Sequence, residues 1–270
     1  MTEPRKHHYI SQCYLRNFTL NKNIYVLDGK LRKSFSTNTG NVCSLRDFNT
    51  IYENGERVQT LENAQSQFED VAAKAISKVI NGEEFSGSVR DTLLELMAMF
   101  HVRNPVQRNK YREIEEIGGG LGLLATDVDE TYIRAELELS MIGVVKTSLS
   151  QRGWKVVKAA EGAGEFVTSE FPLSINFKDI SSEDSSYIPP LNGINTRVFF
   201  PLTSNIGLLG VHGVDNCVVE AGMSEIAYFN RLTIARSDRI YIRDIDNCNI
   251  FLEGANPTPV NCLITNITHQ

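Results

Sequence analysis

The amino-acid sequence predicts an α+β fold. Three observations carry this: strand-like runs near the N-terminus, a helical middle, and a return to strands in the last 120 or so residues. Strands, then helices, then strands do not fit regular βαβ winding. We therefore expect N- and C-terminal strands sharing a mainly antiparallel sheet, with three or more central helices packed against it. No linker interrupts the chain, so residues 1–270 read as one domain with parts at about 1–59, 60–153 and 154–270.

Asn23–Leu27 is rich in strand formers, Asp28-Gly29 supplies a turn, and Leu31–Ser36 is the returning strand. A second hairpin joins Phe48–Ile51 to Val58 through Glu53-Asn54-Gly55-Glu56. Leu61, Ala64, Phe68, Val71, Ala72, Ala75, Ile76 and Val79 repeat at helical spacing behind an N-cap at Thr60. Ser88, with Asp91 three residues on, is expected to cap a second helix that buries Leu93, Leu94, Met97 and Phe100 and stops or kinks at Pro105. A charged extension covers Val106–Ile117, Gly118-Gly119-Gly120 breaks it, and a third long helix covers Thr126–Gln151. Trp154–Lys158 and Glu165–Thr168 are expected to form a hairpin, and Ser181–Asn195 a loop. Thr196–Leu202 and Ile206–Val211 read as buried strands, Ser224–Ser237 as a helix and Arg239–Arg243 as a strand.

Composition narrows the class. Hydrophobic residues make up 41% and charged residues 22% of the 270, as in ordinary globular proteins. A net charge of -6 argues against a globally basic nucleic-acid coat, although a local basic groove is compatible with it. The opening residues lack the apolar core of a secretory signal, and no apolar run is long enough to span a bilayer. The five cysteines include no C-x-x-C pair, so we expect reduced thiols, no zinc site and a cytoplasmic location.

Five constellations carry candidate chemistry. His7-His8 beside Tyr9 and Gln12 brings imidazoles next to hydrogen-bonding groups, and imidazole serves as acid, base or ligand near neutral pH; a solvated terminus is the plainer reading. Arg46-Asp47 is a metal ligand beside a cation, or a simple ion pair. Glu62 and Glu69 share one helix face but are two turns apart, roughly 10 Å at 1.5 Å per residue, too far to hold one metal between them. His101-Val102-Arg103-Asn104-Pro105 places an arginine at a helix end, where it either clamps phosphate or answers the helix dipole. Gly118–Gly122 matches neither the phosphate-binding loop nor the dinucleotide fingerprint. The signatures of serine hydrolases, zincins, kinases and EF-hands are absent. Around Tyr14, Phe18, Tyr25 and Phe35 the N-terminal stretch is locally basic, with Arg5, Lys6, Arg16, Lys22, Lys30, Arg32 and Lys33, a pattern suited to phosphates and bases.

These segments together resemble the family called domain of unknown function 4238. The resemblance runs through His7–Phe18, Arg46-Asp47-Phe48, Leu61–Glu69, Arg103-Asn104-Pro105, Phe166–Pro172 and Asn230-Arg231-Leu232. Ser11 stands where the family usually has proline, and Cys13 where it has an aromatic. The family brings no established activity. What the resemblance implies is a polar set: His8, Gln12, Asp47, Glu62, Glu69, Arg103, Ser169, Glu170 and Asn230. In one cleft, such groups suit phosphodiester or nucleotide chemistry. The leading expectation is thus a nucleic-acid- or nucleotide-processing hydrolase of bacterial or phage conflict. In it His8 is the acid or base, Asp47 and Glu69 hold magnesium or manganese, Arg103 neutralises phosphate and Gln12 positions substrate. Arg16, Ser169, Glu170 and Asn230 would contact substrate. The alternative is a non-catalytic nucleotide- or protein-binding or sensor module; a third reading makes the same residues hydrogen-bond hubs in a structural partner.

Overall fold

The computed structural model of the chain describes residues 5–53, 55–58, 60–120, 130–178, 189–252 and 256–263. The N-terminal part contains β1 (Lys6–His8), α1 (Gln12–Leu15), β2 (Asn23–Asp28), β3 (Lys33–Asn38), β4 (Ser44–Arg46), β5 (Ile51–Glu53) and β6 (Glu56–Val58). Four helices follow: α2 (Thr60–Ile80), α3 (Gly87–Val102), α4 (Pro105–Gly120) and α5 (Glu130–Ser150). The C-terminal part holds β7 (Gly153–Ala159), β8 (Thr168–Ser169), β9 (Ser174–Phe177), β10 (Thr196–Pro201), β11 (Ile206–Val211) and β12 (Cys217–Ala221). It ends with α6 (Met223–Ile234), β13 (Arg239–Ile242), β14 (Asn249–Ile250) and β15 (Thr258–Pro259).

N- and C-terminal strands do share a sheet, in the order β3-β2-β13-β8, all antiparallel. A second sheet, β12-β7-β11-β10-β9, comes wholly from the C-terminal part and includes one parallel pair, β12 with β7. The expected Trp154–Lys158 to Glu165–Thr168 hairpin does not form. Thr168 pairs instead with Tyr241, and β7 pairs with β11 and β12. Local turn chemistry suggested the hairpin; non-local pairing decided otherwise. Two-stranded ribbons β1–β4, β5–β6 and β14–β15 complete the strands among the described residues.

The helices depart from expectation in places. Val71 is 51% exposed and lies off the buried stripe of α2. The second helix begins two residues early, with Ser86 rather than Ser88 at its N-cap. Helix α4 continues to Gly120, so the triple glycine closes the helix instead of preceding a break. Asn54, Thr126 and most of the expected 181–195 loop lie outside the described residues. Pro105 opens α4 with the N-cap chemistry its neighbour supplies: Asn104 Oδ1 accepts the Val106 N–H at 2.9 Å.

One large core joins all three parts of the chain, drawing on α1, β2, α2, α3, α5 and the C-terminal sheet. Tyr14 is its centre. Its ring meets Phe18, Phe100 and Phe200 at centroid distances of 5.2–5.3 Å. Its hydroxyl donates to the Pro201 carbonyl at 2.6 Å and lies 2.7 Å from Thr168 Oγ1, so a fully buried phenol is satisfied. Gly210 in β11 lets the Trp154 indole lie against the strand, since a Cβ there would stand 2.9 Å from the ring. Among the described residues no helix is long and apolar enough to cross a membrane.

Candidate functional site

The segment Asp47-Phe48-Asn49 after β4 runs beside α2, α3, α4 and α5, and a buried polar network forms there. Arg103, at the C-terminal end of α3, is only 4% exposed. It donates through Nη1 to Gln65 Oε1 at 2.7 Å and through Nη2 to Asn49 Oδ1. Asn49 Nδ2 in turn donates to Glu62 Oε2 and Gln65 Oε1, both at 2.8 Å. Its backbone N–H donates to His7 Nδ1 at 2.8 Å. Glu138 of α5, 2% exposed, accepts from Arg108 of α4 with both oxygens, Oε2 at 2.7 Å from Nη2. It also lies 3.7 Å from Arg103 Nε. Arg108 donates to the Phe48 carbonyl and stacks on the Phe48 ring, its guanidinium carbon 3.6 Å from the centroid. Burial pushes the Arg103 guanidinium down to about 10, against the pull of Glu138.

Gln65 links this network to the histidine motif. Its Nε2 donates to the His8 carbonyl and to Glu69 Oε1, each at 3.2 Å. The His8 ring receives the Gln12 amide on Nε2 at 3.2 Å, and Gln12 Oε1 accepts from Thr39 at 3.3 Å. Burial, seconded by Lys6, lowers the His8 pKa and favours neutral imidazole. Burial raises the Glu69 pKa. The His8 carbonyl, Glu69 and Arg103 therefore meet at one glutamine, reached from three separate parts of the sequence, with Gln12 attached through the His8 ring.

The other expected site residues lie elsewhere. Asp47 belongs to an ion cluster with Arg5 (2.5 Å), Arg57 (3.3 Å) and Arg46 (3.5 Å), which holds its carboxyl below the usual range. No hydrogen bond or ion pair joins Asp47 to Glu69. Among the described residues no group of three or more His, Cys, Asp or Glu is placed to hold a metal. Arg16 is exposed on the turn after α1. Ser169 Oγ accepts the Phe171 N–H at 3.0 Å, and Glu170 accepts the Asp238 N–H at 3.0 Å. Asn230 is buried in α6 and serves three backbone groups. It accepts from Val167 N at 2.9 Å and donates to the carbonyls of Glu165 at 2.8 Å and Asn249 at 2.9 Å. Asn49, Gln65, Arg108 and Glu138 were not anticipated. The last left a signal, since Ala135, Glu138, Ile142, Val145 and Leu149 keep buried helical spacing, so one glutamate sits inside an apolar stripe.

A cleft of about 150 Å³ opens against the network between α2, α3 and α5. Leu61, Ala64, Phe68, Met99, Leu139 and Ile142 form its walls, while Gln65, Glu95, Arg103 and Glu138 supply polar groups. A crevice of only about 10 Å³ reaches from Arg103 and Gln65 toward Tyr9, Ser11 and Glu69. Arg103 borders both. Its Nε–H is buried and makes no hydrogen bond.

The family profile described as "Protein of unknown function (DUF4238)" matches residues 6–245. No curated protein and no solved structure matches the chain.

Proposed function

The chain belongs to the DUF4238 family, and from that premise we propose that it works as a non-catalytic binding module, with the cleft between α2, α3 and α5 as its site. The observation that carries this reading is a mainly apolar cleft bordered by Arg103, whose buried Nε–H makes no hydrogen bond and has only the Glu138 carboxylate, 3.7 Å away, to answer it. A buried donor without a hydrogen bond costs up to about 1–3 kcal/mol, part of which the Glu138 carboxylate offsets here and the rest of which a ligand acceptor would recover. The ligand this chemistry suits has an apolar body and one acceptor group, such as a carboxylate.

The hydrolase reading asks for an acid–base pair converging on one substrate atom. His8 Nε2 is engaged by Gln12, Glu69 by Gln65, and Asp47 by arginines. These contacts favour binding over turnover. Calorimetry with decanoate, decane-1-sulfonate and adenosine monophosphate tests the proposal, with Ala64→Trp as the variant that plugs the cleft from an exposed helix position. We expect saturable binding of at least one acid, lost in Ala64→Trp at an unchanged melting temperature. Binding that survives the plug would move the site elsewhere. Hydrolysis of the nucleotide would restore the hydrolase.

A further inference from the structure

The ribbon formed by β1 and β4 carries an unusual charge pattern for a chain whose net charge is -6. Lys6 and Arg46 stand directly opposite one another across the ribbon, and both are exposed. Like charges in that position destabilise a strand pair. Arg5 and Arg57 join Arg46 around one carboxylate, Asp47, while Lys6 Nζ reaches Asn41 Oδ1 at 3.5 Å. Asp47 does not cancel them. It receives Arg5 Nε at 3.0 Å and Arg5 Nη2 at 2.5 Å, which orients that guanidinium while leaving the side chain 52% exposed. The Arg46 side chain is 72% exposed. Glu53 and Glu56 pair with each other at the far end of the β5–β6 ribbon.

An aromatic ring completes the surface. Tyr52 pairs across β5–β6 with Arg57, whose guanidinium lies 3.3 Å from Asp47, and Tyr52 is 39% exposed. Leu45, between Arg46 and Ser44 on β4, is 45% exposed. Cations alone would suit any polyanion. Cations beside an exposed aromatic ring suit a chain that offers both phosphates and flat bases, which unpaired nucleotides do and a duplex, an acidic peptide or a lipid headgroup does not.

We infer that the β1–β4 ribbon, with Arg57 and Tyr52 beside it, is a contact surface for single-stranded nucleic acid, taking phosphates on Arg5, Lys6 and Arg46 and a base on Tyr52. This surface is separate from the cleft and stands whether or not the cleft binds a ligand. Contacts of this type carry little sequence preference and strong salt dependence.

Fluorescence polarisation with labelled oligothymidylate and oligouridylate of about 12 nucleotides, within the span one small domain covers, tests it. A matched duplex, poly-glutamate and phosphatidylserine vesicles serve as competitors. We expect the single strands to bind at low salt and to resist all three competitors. Lys6→Ala/Arg46→Ala should weaken binding at least tenfold and make the slope of log affinity against log salt shallower by about 1.4, roughly 0.7 for each lost phosphate contact. Tyr52→Leu should weaken binding with the slope kept, and Lys110→Ala, an exposed lysine on α4, should change nothing. Should the double variant fail to fold, Arg46→Gln alone gives half the slope change. Absence of binding at low salt overturns the inference, as does binding indifferent to the Lys6 and Arg46 changes. Tighter binding of duplex, poly-glutamate or vesicles overturns it in favour of the competitor that wins.

Discussion

Arg103 and Asn230 are both buried polar side chains, each picked out by a sequence motif, and each anchors a hydrogen-bond hub. They differ in what they bond. Asn230 spends its amide on three backbone groups from two segments, and none of the cavities described above touches it. Arg103 bonds side chains from α2 and the segment after β4, keeps one buried N–H unbonded, and borders two cavities. Backbone partners cannot leave without unfolding local structure, whereas side-chain partners can rearrange around a guest. A hub that serves the backbone holds the architecture; a hub that serves side chains beside a cavity is adaptable.

Removing the counter-charge of the adaptable hub should have the largest effect. Glu138→Ala leaves Arg103 and Arg108 buried around no carboxylate nearer than Glu62, and breaking a buried pair in this way costs about 3–5 kcal/mol. Urea denaturation measures it; a loss under 1 kcal/mol would mean that water already screens the pair. Asn230→Ala strands backbone groups of Val167, Glu165 and Asn249, at about 1–3 kcal/mol for each one that stays unsatisfied. Its signature should be local, with early hydrogen exchange at Val167 and in β8 while ligand affinity in the cleft holds. If Asn230→Ala instead alters cleft affinity, the two hubs are not the separate devices described here.

The smallest effect concerns pH. His8 is pushed below its ordinary value by burial, so the folded state resists protonating it. The stability this contributes is whole above about 6.5, the ordinary histidine value, and is lost as pH falls below it. His101 shifts in the same direction for the same reason. Glu69, pushed up by burial, works against them: its folded form favours the proton, so it penalises folding as pH rises past its ordinary value. The melting temperature should therefore drop between pH 7 and about 5.5, and drop less steeply in His8→Gln. Parallel curves for the two proteins would place the titration on His101 instead.

Much of this was legible in residues that act locally. Asn23–Asp28 with its turn, the stripe of α2, and Asn104-Pro105 as cap and first residue of α4 all follow from short-range rules. What the sequence hid is non-local. Thr168 finding Tyr241, and Cys217–Ala221 lying parallel to β7, depend on pairings that no window of residues records. The site divides the same way. Glu69 and Arg103 bond Gln65 through their side chains and His8 only through its carbonyl, while Gln12 reaches no further than the His8 ring; Gln65 itself reads as an ordinary helix glutamine. Asp47 was chosen for its carboxylate, and its position in the chain did not foretell three arginines around it.

The segment Asp47-Phe48-Asn49 has a mechanical consequence. Asp47, in left-handed backbone at φ 56°, ties to the surface arginines; Phe48 ties by carbonyl and ring to Arg108; Asn49 ties to Arg103 and His7. Three consecutive peptide units thus form a short lever from the outer ribbon to the rim of the cleft. A guest that draws Arg5 or Arg57 away from Asp47 would tilt that lever and shift the acceptor beneath Arg103. Occupancy of ribbon and cleft would then be thermodynamically linked, and linkage requires each guest to change the other's affinity by the same factor.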